Sequence, residues 1–154
     1  MFSIFYFYYC PCLMVGASIA PLLKLSNFYG APLAEFYYLS QTAPLYIRWH
    51  GNLTAAEVAR GVKAGSALME TRPFARVLND KRDTSGNWSE ALPWLEYEWL
   101  PQAVAAGLRA IAYILSPALE AQIVSQEFVE AVQQQLPIAL FLKEDEARRW
   151  LSGQ

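Results

Sequence analysis

Two short runs limit the folds open to this chain more than anything else in it: RAIAYIL at Arg109–Leu115 and IALFL at Ile138–Leu142. Neither alternates apolar with polar residues, so neither suits a sheet with one wet face. Near-continuous apolar runs of this length are what strands of a parallel sheet, covered on both faces, look like. Parallel strands need long crossovers, usually helical. The connecting segments supply helical patterns. Ser116-Pro117 offers an N-cap with proline at the first helical position, and Ser125 can cap a second piece through Gln135. Glu144 to Leu151 closes the chain as a helix, acidic in its first turn, with Arg148 and Arg149 near its end to match the dipole.

Earlier in the chain, AEFYYL (Ala34–Leu39) and LYIRW (Leu45–Trp49) read as an antiparallel pair joined by a short loop. In the second run Tyr46, Arg48 and His50 alternate with Leu45, Ile47 and Trp49, so one face is apolar and the other mixed. Thr54 and Glu57 form a capping box, with Leu53 and Val58 placed as a hydrophobic staple, which predicts a helix from Ala55 that Pro73 ends. Its stripe of Val58, Val62, Gly65 and Met69 reads as core rather than as a cofactor box. Arg76-Val77-Leu78 is a short buried strand, and Asn79 and Asp80 sit where its C-terminal end would open into a polar loop, the place where α/β sheets usually hold ligands. Asn87 with Glu90 then caps a helix from Trp88 to Ala106, interrupted by Pro93 and Pro101 and kinked near Trp99, and Gly107-Leu108 is its C-cap. The order predicts an α/β domain over residues 34–152: a mixed sheet with an N-terminal antiparallel pair, the remaining strands parallel, and about four helices packed on it.

Residues 1–30 read separately, as an apolar N-terminal extension. Met1 to Leu23 carry no charge and are crowded with aromatics, which fits a secretory signal, a membrane segment, or a start placed upstream of the true one at Met14 or later. Membrane contact is expected only if residues 1–23 are retained. Cys10 and Cys12 are the only cysteines and His50 the only histidine, so no zinc spacing exists and no metal or cofactor is expected. Two cysteines so close make a poor disulfide, which points to a reducing, cytoplasmic setting. A formal net charge of −2 lacks the basic excess that nucleic acid demands.

Four stretches carry a family resemblance: LYIRWHGNLT, VLND followed by SGNW, WLPQAVAAGLRAIAYILSP, and the terminal EDEARRWL. Over about Phe36 to Leu151 the chain resembles the STAS domains of bacterial anti-sigma-factor antagonists, in their SpoIIAA-like branch, a fold placed near the CRAL-TRIO lipid-binding domains. In that family the loop after the third strand carries an Asp-Ser-Ser-Gly-like element whose serine a partner kinase phosphorylates. The matching residues here are Asp83-Thr84-Ser85-Gly86, which makes Ser85 the candidate phosphorylation site. This chain departs from the pattern in a longer, more charged loop with Lys81 and Arg82, and in Asn87-Trp88 after the glycine.

The resemblance implies a non-enzymatic regulatory or protein-docking domain. The alternative is a small-molecule or lipid-binding module, in which the aromatic helix 88–100, with Trp88, Trp94, Tyr97 and Trp99, lines an apolar groove next to Tyr113. An enzyme is the weakest reading: His50, Asp80, Asp83 and Glu90 could converge at one end of the sheet, but there is no nucleophile elbow, phosphate loop or metal set. The candidate contact residues are Asn79, Asp80, Asp83, Thr84, Trp88, Trp94 and Trp99. The expected partner is a protein or a small apolar ligand, and an exposed apolar edge would allow a homodimer.

Overall fold

The computed structural model describes residues 19–154. Cys10, Cys12 and the charge-free stretch up to Ser18 lie outside the described residues, as do the readings that rest on them.

Six strands form one sheet in the order in which the chain makes them: β1 (Leu23–Ser26), β2 (Pro32–Tyr37), β3 (Leu45–Asn52), β4 (Arg76–Ser85), β5 (Ala110–Ile114) and β6 (Ile138–Phe141). β2 runs antiparallel to β1 and to β3, and the pairs β3–β4, β4–β5 and β5–β6 are parallel. The expected mixed α/β sheet with its antiparallel N-terminal pair is therefore present. β1 is an addition: it falls inside the stretch assigned to the N-terminal extension, so the sheet begins ahead of residue 34.

Each parallel crossover steps to the next strand in the same direction. Right-handed connections in a sheet wound one way put every crossover helix on the same face. That face carries α1 (Ala55–Thr71), the composite helix α2 (residues 89–105) and α3 (Leu119–Val132), over a core that includes Phe36, Leu45, Trp49, Val77, Ile111 and Phe128. The helix after β6, α4 (Glu144–Ser152), packs on the opposite face, where Ala147 and Leu151 meet Leu78, Ala110, Ala112 and Ile114. β5 is thus buried along its whole length, as its composition requires, whereas the equally apolar β6 is an edge strand and only half-buried.

Local chemistry sets the helix ends. The Thr54 side chain accepts from the Glu57 amide at 3.3 Å and the Glu57 carboxylate accepts from the Thr54 amide at 3.0 Å, a complete capping box. Gly107, at φ +113°, ends α2, and the Leu108 amide reaches back to the Ala103 carbonyl at 2.9 Å, closing the turn with buried Leu108. Three expected caps differ. Asn87 stands one residue ahead of the cap position, Trp88, and its side-chain oxygen accepts from the Ser89 amide at 2.9 Å. Ser116 precedes the helix start by too much to cap it; its hydroxyl instead accepts from the Ala118 amide and donates to the Thr84 carbonyl. Ser125 lies inside an unbroken α3 and donates to Ala121 one turn back.

The prolines do not break α2 either. It starts as a 3-10 turn at Ser89–Ala91, takes one α turn at Leu92–Trp94, widens to π geometry over Leu95–Trp99 and returns to α over Leu100–Ala105. Pro101 cannot donate to the Tyr97 carbonyl, and its ring would crowd that carbonyl; the wide turn just before it relieves the crowding without ending the helix.

Candidate functional site

β4 does not end at Leu78. It runs on through Ser85, so Asn79, Asp80, Asp83, Thr84 and Ser85, expected in a loop, are strand residues. Pairing with β3 explains the extension. Ile47, Arg48, His50, Gly51 and Asn52 partner Asn79, Asp80, Asp83, Thr84 and Ser85 in turn, with one extra residue in β4 between Asp80 and Asp83. This bulge is closed by the Thr84 hydroxyl, which donates to the Lys81 carbonyl at 2.8 Å. Bulges re-aim side chains beside functional sites. Here the alternation up to the bulge turns Val77, Asn79 and Lys81 toward the helices and Leu78 and Asp80 away from them.

A cavity of about 430 Å³ lies between sheet and helices. Its floor is Leu45, Ile47 and Trp49 of β3, Val77, Asn79 and Lys81 of β4, and Tyr113 of β5. One wall is the Val58, Val62, Gly65 and Met69 stripe of α1, and the other is Trp88 with Leu95, Trp99 and Ala103 of α2. The stripe that reads as plain core therefore does two things at once. The mouth is polar, with exposed Ser66, Glu70 and Gln102, and continues outward into a shallow depression that adds Lys63 and Trp94. The Trp99 indole donates to the Ser66 hydroxyl at 3.0 Å and ties α1 to α2 there.

Lys81 is the chemical centre of this space. It is 3% exposed, and its Nζ lies 3.8 Å from the centre of the Trp88 ring, with the Trp49 and Tyr113 rings at 5.4 and 5.5 Å. No described residue gives that nitrogen a hydrogen bond or an ion pair. Ring faces attract an ammonium but do not replace its water. Burial accordingly pushes the Lys81 amine down from 10.5 to about 7. Beside it the Trp49 indole donates to the Asn79 amide oxygen at 2.9 Å, and because an indole nitrogen can only donate, the two Asn79 amide hydrogens are left over. Burial pushes the Tyr113 hydroxyl up, so it stays protonated.

The remaining expected residues fall elsewhere. Asp80 points to the other face, where it accepts from the Tyr46 hydroxyl at 2.7 Å and from Arg82, itself paired with Glu144 of α4. Burial alone would raise the Asp80 carboxyl, but Arg82 and Tyr46 outweigh it and hold the group below the usual carboxylate range. Asp83 is exposed and pairs with Arg48 at 2.7 Å. His50 shares this face, 3.3 Å from Glu35 and 4.0 Å from Asp83, whereas Glu90 lies on the helical side of the sheet, so the four acid–base candidates do not converge. Thr84 is buried and Ser85 exposed at the strand end. Trp88 and Trp99 line the cavity, Trp94 stacks outside on Lys63 at 5.4 Å, and Tyr97, expected in the groove, is 72% exposed.

Sequence reasoning missed Lys81, because a lysine in the charged run Asp80-Lys81-Arg82-Asp83 reads as solvated. The available signal was its place two residues after Asn79, on the same face of a strand longer than the apolar residues alone suggest. Among the described residues no cluster of His, Cys, Asp and Glu could hold a metal ion, and no helix is long and apolar enough to cross a membrane. Comparison of the chain with protein families, curated proteins and solved structures gives no match.

Proposed function

We propose that this domain binds a small, predominantly apolar molecule between its sheet and helices α1 and α2, as a carrier or sensor without chemistry of its own. The observation that carries the reading is the unpartnered Lys81 inside an aromatic-walled cavity of about 430 Å³. That volume falls in the range of small-molecule sites, and such sites combine apolar walls with a few polar groups. A sheet wound in one direction has no topological switch point, so a crevice beyond the strand ends is not available and the space under the helices takes its place. Native mass spectrometry of the full chain purified from its own host, set against the denatured mass, tests the proposal. A non-covalent adduct that weakens on Met69→Trp, which sets a bulkier ring at the α1 wall of the cavity, supports it; repeated apo spectra, with no uptake from a library of apolar molecules, refute it.

The second reading, a STAS-like docking domain switched by a kinase, draws support from Ser85, whose exposed side chain ends β4 beside Asn52. A phosphate there adds about −1.5 to −2 of charge. Phosphoserine mapping of the native protein decides it: an unmodified Ser85 under every growth condition removes the switch.

A further inference from the structure

Inside the polar mouth, four groups along the cavity lack a partner, and each of them is able to donate. Lys81 Nζ has neither hydrogen bond nor ion pair among the described residues. The Trp88 indole N–H is fully buried without an acceptor. Asn79 has committed its oxygen to Trp49, which leaves its amide hydrogens, and the Tyr113 hydroxyl keeps its proton. No acid faces them from β3, β4, β5 or α2. The one carboxylate along the cavity is Glu70 of α1, exposed at the mouth. Of the four donors the Trp88 nitrogen is the one closed to solvent, and a buried donor without an acceptor is rare in a folded protein; the Lys81, Asn79 and Tyr113 groups stay open to the cavity, where a bound acceptor can meet them.

Resting on the reading that the cavity holds an apolar molecule, we propose that its ligand is a carboxylic acid with an apolar body, its carboxylate set against Lys81 and its tail along the α1 stripe. A carboxylate is acceptor-only and offers about four lone-pair directions. It carries the single charge that one ammonium balances, whereas a phosphate dianion would bring a second, uncompensated charge into an apolar space. The pair also restores the ammonium: a ligand anion raises the Lys81 amine from about 7, so binding above neutrality takes up a proton. Tyr113 and Glu70 are the other titratable groups along the cavity, the first held protonated by burial and the second solvated at the rim.

The experiment is titration calorimetry of the full chain with decanoate and with its neutral counterpart decanamide, at about pH 8 in two buffers of different ionisation heat, alongside entry of the neutral dye N-phenylnaphthylamine. The expected result is a preference for decanoate of about tenfold or more, with close to one proton taken up per site. Lys81→Met should abolish both the preference and the proton uptake while still admitting the dye. Dye entry without a carboxylate preference in the unmodified protein, or a preference that survives Lys81→Met, overturns the head-group assignment alone. Exclusion of all three probes overturns the cavity reading with it. The comparison between the two ligands needs no variant, so a Lys81→Met protein that failed to fold would not spare the proposal.

Discussion

Replacing Lys81 with methionine should stabilise this protein at neutral pH, and the gain should fade in alkali. The folded chain binds the Lys81 proton only below about 7, whereas the unfolded chain binds it up to 10.5. Between those values the unfolded state holds more protons, so stability rises with pH, by about 1.4 kcal/mol for each pH unit. Below about 7 the full penalty for burying this lysine is present, about 5 kcal/mol over the whole interval; above 10.5 the ionisation penalty is gone. Methionine keeps the length and the apolar stem and removes the titration. Its loss of the ammonium–indole contact with Trp88, about 0.5–2 kcal/mol, offsets part of the gain. The assay is urea unfolding of both proteins from about pH 6 to pH 9.5 under reducing conditions, and the quantity that matters is the difference between them. That difference should favour the variant, stay level up to about pH 7, and then shrink by about 3 kcal/mol by pH 9. Other groups titrate alike in both proteins and cancel. A difference that stays flat from pH 7 to pH 9 would show that Lys81 is hydrated in the folded state and that burial does not hold its amine down.

Three further perturbations probe the frame around the site. Gly61→Ala would place a methyl 2.2 Å from the Trp49 ring, which the Asn79 hydrogen bond holds in place, so it should cost about 1–3 kcal/mol by calorimetric unfolding and constrict the cavity floor. Asp80→Asn removes the charge that pairs with Arg82 and turns one of the two oxygens accepting from Arg82 and Tyr46 into a donor, and should cost about 2 kcal/mol near neutrality. Since the folded Asp80 carboxyl titrates below its unfolded value, its contribution is complete above the unfolded value and lost as pH falls through the folded one, so the two proteins should converge in strong acid. Thr54→Ala dismantles the capping box and should cost about 1 kcal/mol, with early amide exchange confined to the first turn of α1.

What could be read along the chain was whatever a few neighbouring residues settle between themselves. Thr54 and Glu57 cap a helix because both lie within one turn; Gly107 and Leu108 end one for the same reason; the apolar run at Ala110–Ile114 announces a strand covered on both faces whatever covers it. Those signals together were enough for the α/β class and the mixed sheet. Of the site, the aromatic pattern already grouped Trp88, Trp99 and Tyr113, which do line the cavity; the buried charge among them was not legible, because no local rule decides it. The charged run from Asp80 to Asp83 looks solvated on composition, and only its pairing with β3, more than thirty residues back, draws it into the sheet and turns Lys81 inward. Trp49, Trp88 and Tyr113, which surround that lysine, come from three separate elements, and the cavity exists only where α1 and α2 lean on the sheet without closing over it. Periodicity tells a strand which face is apolar; the position of a buried charge depends on what distant segments place around it, and that was decided by the tertiary structure alone.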